Sequence, residues 1–173
     1  MKELQTERLL LRKVRRSDVK RIFDYWASDP EVTKYLTWQP HATAAVTEAV
    51  MEHWLAEYDQ PDTYRYGIER RDTGELIGMI DVVHFTDGCP VIGYCSGRPT
   101  WGRGYMTEAL KAVCGMLFEE GYESILIQAV RENIGSNRVI QKAGFTFIGS
   151  ETRPMSAHKP KIVTLNEYRL DRE

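Results

Sequence analysis

Two glycines separated by one residue precede a helical pattern, and this spacing predicts chemistry more directly than any other part of the sequence. They are Gly102 and Gly104, and Arg103 between them adds a positive charge. Glycine permits a positive φ and a close approach of a ligand to the backbone. The first N–H groups of a helix lack partners inside the helix, and the helix dipole makes that end electropositive. The segment therefore predicts an anion site of the kind that binds phosphate.

The spacing matches neither of the two common phosphate-binding motifs. Thr107 stands where a dinucleotide-binding fingerprint has its third glycine. No Gly-Lys-Ser/Thr sequence follows, as a P-loop requires. An ordinary strand-to-helix turn therefore remains the alternative for this segment.

The helix that presents these groups is predicted by its apolar periodicity. One face carries residues at steps of three and four, namely Met106, Ala109, Leu110, Val113, Cys114, Leu117 and Phe118. Gly121 is a stop signal. We predict a helix over 105–120, preceded by a strand over 91–96.

The rest of the chain alternates between the two kinds of element. Strands are predicted at 8–15, 64–70, 76–83, 124–130, 145–151 and 163–170, and helices at 17–29, 43–57 and 136–144. The polar segment 152–162 is predicted to be a loop. Early hairpins and later helical crossovers predict the α/β class, as a single domain whose mixed sheet of about six to seven strands has helices on both faces.

Three local details accompany this assignment. Ser17 is the predicted N-cap of the first helix. The basic run 12–16 is predicted to be a solvated strand end. The helix over 43–57 is predicted to turn four residues inward, namely Val46, Ala49, Val50 and Trp54.

Length and charge limit the class of protein. A chain of 173 residues forms one domain by size, and its formal net charge of −2 gives no electrostatic attraction to nucleic acid. No apolar stretch approaches the ~20 residues of a membrane span. Cys89, Cys95 and Cys114 form no C-x-x-C pair, and the histidines show no H-x-x-x-H spacing. We expect a cytoplasmic protein with no metal, no nucleic-acid partner and no membrane partner.

Two separated motifs strongly resemble the GCN5-related N-acetyltransferases, the GNAT superfamily. One runs from Gly93 through the glycine loop to Leu110, and the other runs from Asn133 to Phe145. The start of the chain, Thr6–Arg12, also matches. Within the superfamily the chain resembles the ribosomal-protein N-terminal acetyltransferases (the RimJ/RimL-like branch). The resemblance covers nearly the whole chain and implies an N-acetyltransferase domain at residues 6–171.

The resemblance implies acetyl-CoA as the donor and a primary amine as the acceptor, either a protein N-terminus or a small molecule. It also implies direct attack of the amine on the thioester, in a monomer or a homodimer. Backbone N–H groups of about 101–105 would hold the pyrophosphate, and the strand edge 94–96 would pair with the pantetheine arm. The implied coenzyme-binding residues are Tyr94, Cys95, Ser96, Trp101, Gly102, Arg103, Gly104, Tyr105, Met106, Thr107, Asn133, Ser136 and Arg138.

The resemblance also suggests catalytic groups. Ser136 stands where related enzymes have a hydroxyl near the sulfur, although it is equally a predicted helix N-cap. Many superfamily members have a tyrosine acid where this chain has Ile140, which leaves a non-catalytic acyl-CoA-binding module as the alternative function. Candidate bases are Asp81, Glu151, His84 and His158, of which Asp81 and Glu151 are assigned catalytic roles together with Ser136.

The amine chemistry favours an acceptor of low pKa. An α-amino group has a pKa of about 8, and a lysine side chain has one of about 10.4. A site without an evident strong base obtains the free form of the α-amine more readily. This argument favours N-terminal amines or amino sugars over lysine.

Overall fold

Eight strands form one mixed sheet in the computed structural model, which describes residues 1–172. The strands are β1 (Leu4–Gln5), β2 (Leu9–Arg12), β3 (Arg65–Arg70), β4 (Leu76–Thr86), β5 (Cys89–Ser96), β6 (Ser124–Val130), β7 (Thr146–Ser156) and β8 (Lys159–Asp171). Their order is β1-β2-β3-β4-β5-β6-β8-β7. The α/β class and the mixed sheet are confirmed, with eight strands instead of the expected six to seven.

Helices cover both faces of the sheet. They are α1 (Val19–Ile22), α2 (Pro30–Thr33), α3 (Ala44–Glu57), α4 (Tyr105–Glu119) and α5 (Ile134–Lys142). A 3₁₀ turn, Arg16–Asp18, precedes α1, and a π-helical turn, Phe23–Ala27, follows it. The apolar face of α4 packs with α5 on the largest core, whereas Ile22 of α1, Trp26 of the π-helical turn and Met51 of α3 belong to a second core.

The segment predicted to be a loop, 152–162, is instead part of a long antiparallel hairpin. β7 and β8 pair from Thr146↔Arg169 to Ser156↔Lys159, which leaves only a tight turn between them. β7 is an edge strand with exposed residues on both faces, so it shows no apolar alternation. Pro154 is compatible with an edge strand, where a missing N–H interrupts no ladder on the open side.

The prediction for the basic run was wrong at Arg12, which is only 4% exposed. Its guanidinium donates to both carboxylate oxygens of Asp18, at 2.8 and 3.0 Å, and to Glu69 at 2.6 Å. Asp18 also accepts from the N–H of Arg15 at 2.8 Å. The side chain that hydrogen-bonds the backbone at the start of the first helical segment is therefore that of Asp18, and not that of Ser17 as predicted.

The inward face of α3 matches the prediction only in part. Trp54 packs against the second core as expected, but Val46 and Ala49 are exposed, and the helix instead buries Thr47 and Met51. The Thr47 hydroxyl lies 2.8 Å from Nδ1 of His41, which satisfies its hydrogen-bonding capacity in the interior. Apolar counting missed this partnered threonine.

Candidate functional site

The glycine loop presents a row of free backbone donors at the start of α4. Gly102 and Gly104 have φ of 73° and 80°, and Gly104 is the residue from which α4 begins. Within residues 1–172, no acceptor is hydrogen-bonded to the N–H groups of residues 102–107. The N–H of Trp101 donates to the carbonyl of Arg98 at 3.0 Å, so the free row starts one residue later than the predicted 101. These donors and the helix dipole form an anion cradle.

Side chains of the chain start hold this loop in place. The Glu108 carboxylate accepts from the Thr6 hydroxyl at 2.6 Å and from the backbone N–H of Arg8 at 2.9 Å. The Arg8 guanidinium donates to Glu108 at 2.7 Å and to the carbonyl of Arg103 at 3.0 Å. Two segments that carry the family resemblance, Thr6–Arg12 and the first turn of α4, are therefore held together by these contacts.

A cavity of about 400 Å³ lies beside the cradle. Gly104 and Thr107 line it from the loop, and Lys111 and Lys142 line it from α4 and α5. Neither lysine has an ion-pair partner in the part of the chain that the structure describes. Sequence reasoning missed both lysines; the spacing of Lys111 four residues after Thr107, one turn along the same helix face, was the available signal.

The sheet opens next to the loop. β5 and β6 pair in parallel only at Val91↔Leu126 and Ile92↔Ile127, although β5 continues to Ser96 and β6 to Val130. Beyond Ile92 the edge of β5 that faces β6 is unpaired, while its other edge pairs with β4. An extended chain with amide groups can therefore pair with Gly93–Ser96 inside the opening.

Ser136 faces this opening and does not cap α5. The cap is Asn133, whose side-chain oxygen accepts from the N–H of Ser136 at 3.2 Å. The Ser136 hydroxyl lies 2.9 Å from the phenol oxygen of Tyr94, which extends from β5. Burial raises the pKa of Tyr94, so the phenol stays protonated and can donate. The N-cap interpretation of Ser136 was wrong, and its hydroxyl is held by a partner that the sequence did not indicate.

Asn137 fixes the turn between β6 and α5. Its amide donates to the carbonyls of Val130 and Asn133 at 2.9 and 2.8 Å. Its oxygen accepts from the Tyr168 hydroxyl at 2.6 Å and from the Asn166 amide at 2.9 Å. This buried side chain thereby sets where α5, and with it Ser136, begins.

Asp81 lies on β4 directly opposite Gly93 of β5. Its side chain is 20% exposed and accepts from Nε of Arg65 at 3.2 Å; Arg65 is also paired with Glu57. Burial raises the pKa of Asp81, and Arg65 opposes part of that shift. A Cβ on Gly93 would come within 2.8 Å of Val83, so only glycine leaves the backbone open beside this carboxylate.

Cys95 lies on β5, in the portion of the strand that is unpaired on the side toward β6. Burial raises the pKa of its thiol to about 12, and the negative charge of Asp81 adds to the rise. A thiol with so high a pKa carries almost no thiolate near neutral pH, and the thiolate is the nucleophilic form.

The structure does not bring the other candidate bases to the opening. Glu151 is on β7, two strands from β6, where it is exposed and accepts from Arg153 at 3.0 Å. His84 and His158 are exposed, the first on β4 and the second in the turn between β7 and β8. Arg138 is an exposed residue of α5. Ser96 is beside the loop, where its carbonyl accepts from the Trp101 indole at 2.9 Å.

Residues 1–172 contain neither a candidate membrane-spanning helix nor a candidate metal site. No helix there is both long and apolar enough to cross a membrane. No group of three or more His, Cys, Asp or Glu side chains in that range is arranged to hold a metal ion.

Comparison with known proteins identifies the family to which the chain belongs. The family description "Acetyltransferase (GNAT) domain" matches residues 8–146. The uncharacterized N-acetyltransferase p20 of Bacillus licheniformis is 30% identical over 152 residues, which are 84% of this chain and 83% of that protein.

Two solved structures show the same fold. One is an acetyltransferase of Salmonella typhimurium that modifies the N-terminal serine of the 50S ribosomal subunit protein L7/L12, with a TM-score of 0.85, 17% identity, and coverage of 99% of this chain and 100% of that one. The other is RimL, a ribosomal L7/L12 alpha-N-protein acetyltransferase in complex with coenzyme A, with a TM-score of 0.85, 18% identity, and coverage of 98% of each chain. At these identities the likeness concerns the fold alone.

Proposed function

This chain belongs to the GNAT acetyltransferase family and is an acetyl-CoA-dependent N-acetyltransferase, and on that premise we propose that it acetylates the α-amino group of a protein N-terminus. The row of free N–H groups over residues 102–107, which adjoins the opening between β5 and β6, supports acetyl-CoA as the donor; the acceptor is argued from the amine chemistry below. We assign the acetyltransferase domain to residues 6–171.

The donor is held by the main chain. The pyrophosphate of acetyl-CoA accepts from the cradle N–H groups, and Lys111 and Lys142 add positive charge beside it. The amide-rich pantetheine arm pairs with the free edge of Gly93–Ser96, and the side-chain amide of Asn133 borders the arm on the α5 side. This placement directs the thioester into the opening, where a strand N–H can donate to the carbonyl oxygen as negative charge develops.

Asp81 is the base that we propose for the acceptor amine. The amine attacks the thioester carbon from the side of the sheet on which Asp81 lies, and Asp81 accepts an amine proton directly or through water. Its raised pKa brings the carboxylate closer to the pKa of the group it deprotonates. Attack is direct, because the Cys95 thiol is too weakly acidic to serve as an acyl carrier.

Ser136 stabilises the leaving group. As the carbon–sulfur bond breaks, the sulfur takes up negative charge and accepts a hydrogen bond from the Ser136 hydroxyl. The Tyr94 phenol and the Ser136 hydroxyl lie 2.9 Å apart and either can be the donor; when Tyr94 donates, the hydroxyl hydrogen of Ser136 is free for the sulfur. A thiol has an ordinary pKa of about 8.5, so hydrogen bonding suffices and a strong acid is not needed.

Two arguments support a terminal amine over a lysine acceptor. The pKa of an α-amine is about 2.5 units below that of lysine, which saves roughly 3.4 kcal/mol in forming the free amine. Asp81 is a weak base, so this saving matters here. The L7/L12-modifying protein of Salmonella typhimurium, which shares the fold, acts on an N-terminal serine.

The test is a thiol-release assay over a panel of acceptors. Peptides with a free N-terminus should stimulate release of coenzyme A, and the same peptides with a blocked N-terminus and an internal lysine should not. A panel of amino acids, polyamines and aminoglycosides covers the small amines. If only the small amines or the blocked lysine peptides stimulate release, the proposed acceptor is wrong.

A further inference from the structure

A second cavity, of about 280 Å³, lies between α2 and the β7–β8 hairpin. Part of its lining is apolar: Met155, Val163 and Val130 are buried together, with Tyr35 packed against them, and the rest is polar or charged. The volume accommodates one or two residues of a chain.

The cavity starts where the sheet opens. Val130 is the last residue of β6, on the portion of that strand that has separated from β5. Its carbonyl is held by Asn137, the residue that fixes the start of α5. A chain whose amine enters the opening can therefore continue past Val130 into this cavity.

The rim of the cavity is positively charged. Lys34 and Lys161 line it and are exposed, against one lining carboxylate, Glu132. None of the three forms an ion pair with another residue of the range 1–172. The hairpin places a further lysine, Lys159, near the same rim.

Lys159 is occupied in holding the two walls together. Its ammonium donates to the carbonyls of Thr33 and Leu36, at 2.7 and 3.2 Å, at the end of α2. Partial burial lowers the pKa of Lys159, and the positive charge of Lys161 lowers it further. Lys159 and Lys161 are two residues apart on β8, so their side chains leave the same face of the strand, and an anion bound there would offset their repulsion.

We infer that this cavity selects acceptors whose chain carries carboxylates just after the reactive amine, namely protein N-termini with aspartate or glutamate in the first few residues. The inference rests on the proposed function and adds the chemical class of its substrate. The apolar part of the lining takes a side chain of the acceptor, and Lys34 and Lys161 pair with its carboxylates. Electrostatic matching of this kind improves discrimination between substrates.

Two matched peptides test it. Both carry the same free N-terminal serine; one has aspartates at its third and fourth residues, and the other has asparagines there. The acidic peptide should be acetylated with a kcat/KM about tenfold higher, mainly through a lower KM, and the difference should shrink as salt is raised. Equal values for the two peptides, with both acetylated, would overturn the inference and leave the proposed function intact.

Charge reversal at the rim sharpens the test. The double variant Lys34→Glu, Lys161→Glu should lose the preference for the acidic peptide and favour one with lysines at the same positions, with the KM for acetyl-CoA unchanged. The control is Lys20→Glu on α1, an exposed lysine that does not line the cavity, and it should keep the acidic preference.

A binding measurement separates the two claims. Calorimetric titration with the acetylated product peptides reports the cavity without requiring turnover. If no peptide is acetylated but the acidic product still binds about tenfold more tightly and loses this in the double variant, the terminal-amine proposal fails and the anionic selectivity stands. If neither turnover nor binding discriminates, the cavity has no such role.

Discussion

The proposed donor side of the molecule and the proposed acceptor side are built by different means. The proposed donor side, comprising the glycine loop, α4 and α5, presents free main-chain N–H groups that neighbouring side chains hold in position. The proposed acceptor side, comprising α2 and the β7–β8 hairpin, presents side chains from segments more than 100 residues apart in the sequence.

The difference explains how the fold can keep one cofactor while changing acceptors. Backbone donors do not depend on side-chain identity. The cradle therefore requires only its glycines and the Glu108 clamp, by which we mean the hydrogen bonds of Glu108 with Thr6 and Arg8. The acceptor side has no such constraint, and a few substitutions at its rim alter the charge that a substrate meets. The predictions below test this division, beginning with the largest expected effect.

Gly104→Asp should abolish coenzyme binding. Its carboxylate would lie among donors reserved for phosphate, so coenzyme A should no longer raise the melting temperature, and its Kd should rise at least about 100-fold. Gly104→Asn tolerates the same positive φ without the charge and should retain part of the binding. Gly121→Asp, at the other end of α4 with a φ of 98°, controls for backbone strain. Retained coenzyme stabilisation in Gly104→Asp would contradict the cradle.

The rates of the variants Asp81→Asn and Glu151→Gln test which of these two carboxylates acts as the base. Removing Asp81, the proposed base on β4, should lower kcat by about 100-fold, within the usual range for general-base catalysis, whereas removing the exposed Glu151 carboxylate should change kcat by less than about twofold. The wild-type rate should fall as the pH drops through the raised pKa of Asp81, since protonation removes the base. That acidic limb should be absent from Asp81→Asn and present in Glu151→Gln. The reverse pattern would move the base to the edge strand.

Ser136→Ala should lower kcat by about tenfold, with the KM for acetyl-CoA little changed, because its hydrogen bond strengthens only as the sulfur becomes charged. Tyr94→Phe leaves Ser136 in place but unoriented and should cost less. Since the two act as a unit, the double variant should be no slower than Ser136→Ala. Strictly additive losses would show that Tyr94 does not position Ser136.

Glu108→Gln should have the smallest effect, seen mainly in stability. Burial alone would raise the pKa of Glu108, but hydrogen bonds from Thr6 and Arg8 outweigh it and lower the pKa. The stabilisation by this carboxylate is therefore complete above the ordinary glutamate pKa of about 4.3 and is lost as the pH falls through the lower folded value. Denaturation of both proteins should show a difference of roughly 1–3 kcal/mol at neutral pH that vanishes in acid. A difference independent of pH would exclude the clamp.

The sequence predicted the donor side well because local rules decide it. The periodicity of α4 and the positive φ of its preceding glycines are properties of neighbouring residues, and the structure has both. The free N–H groups follow from the same local geometry. Within the glycine loop Trp101 departs from the prediction, because its N–H closes the short 3₁₀ turn Arg98–Thr100.

Tertiary contacts decided the features that the sequence did not predict. Arg12 looked solvated, but Asp18 and Glu69 converge on it, which no local pattern reveals. Ser136 looked like a cap, but its partner, Tyr94, is 42 residues earlier in the chain. Strands were predicted for the outer parts of the β7–β8 hairpin, but residues 152–162 were predicted to be a loop, because β7 is an edge strand exposed on both faces and shows no apolar alternation there.

Lys159 has a consequence for building chimeras from family members. Its ammonium joins the hairpin to the end of α2 through two main-chain carbonyls, and the Ser156 hydroxyl adds a bond to the carbonyl of Thr37 at 2.6 Å. A transplanted hairpin without this lysine would leave those carbonyls without their donor, and a transplanted α2 segment of different length would leave the ammonium without its acceptors. The two segments therefore form one transferable cassette, and grafting a new acceptor preference requires exchanging both together.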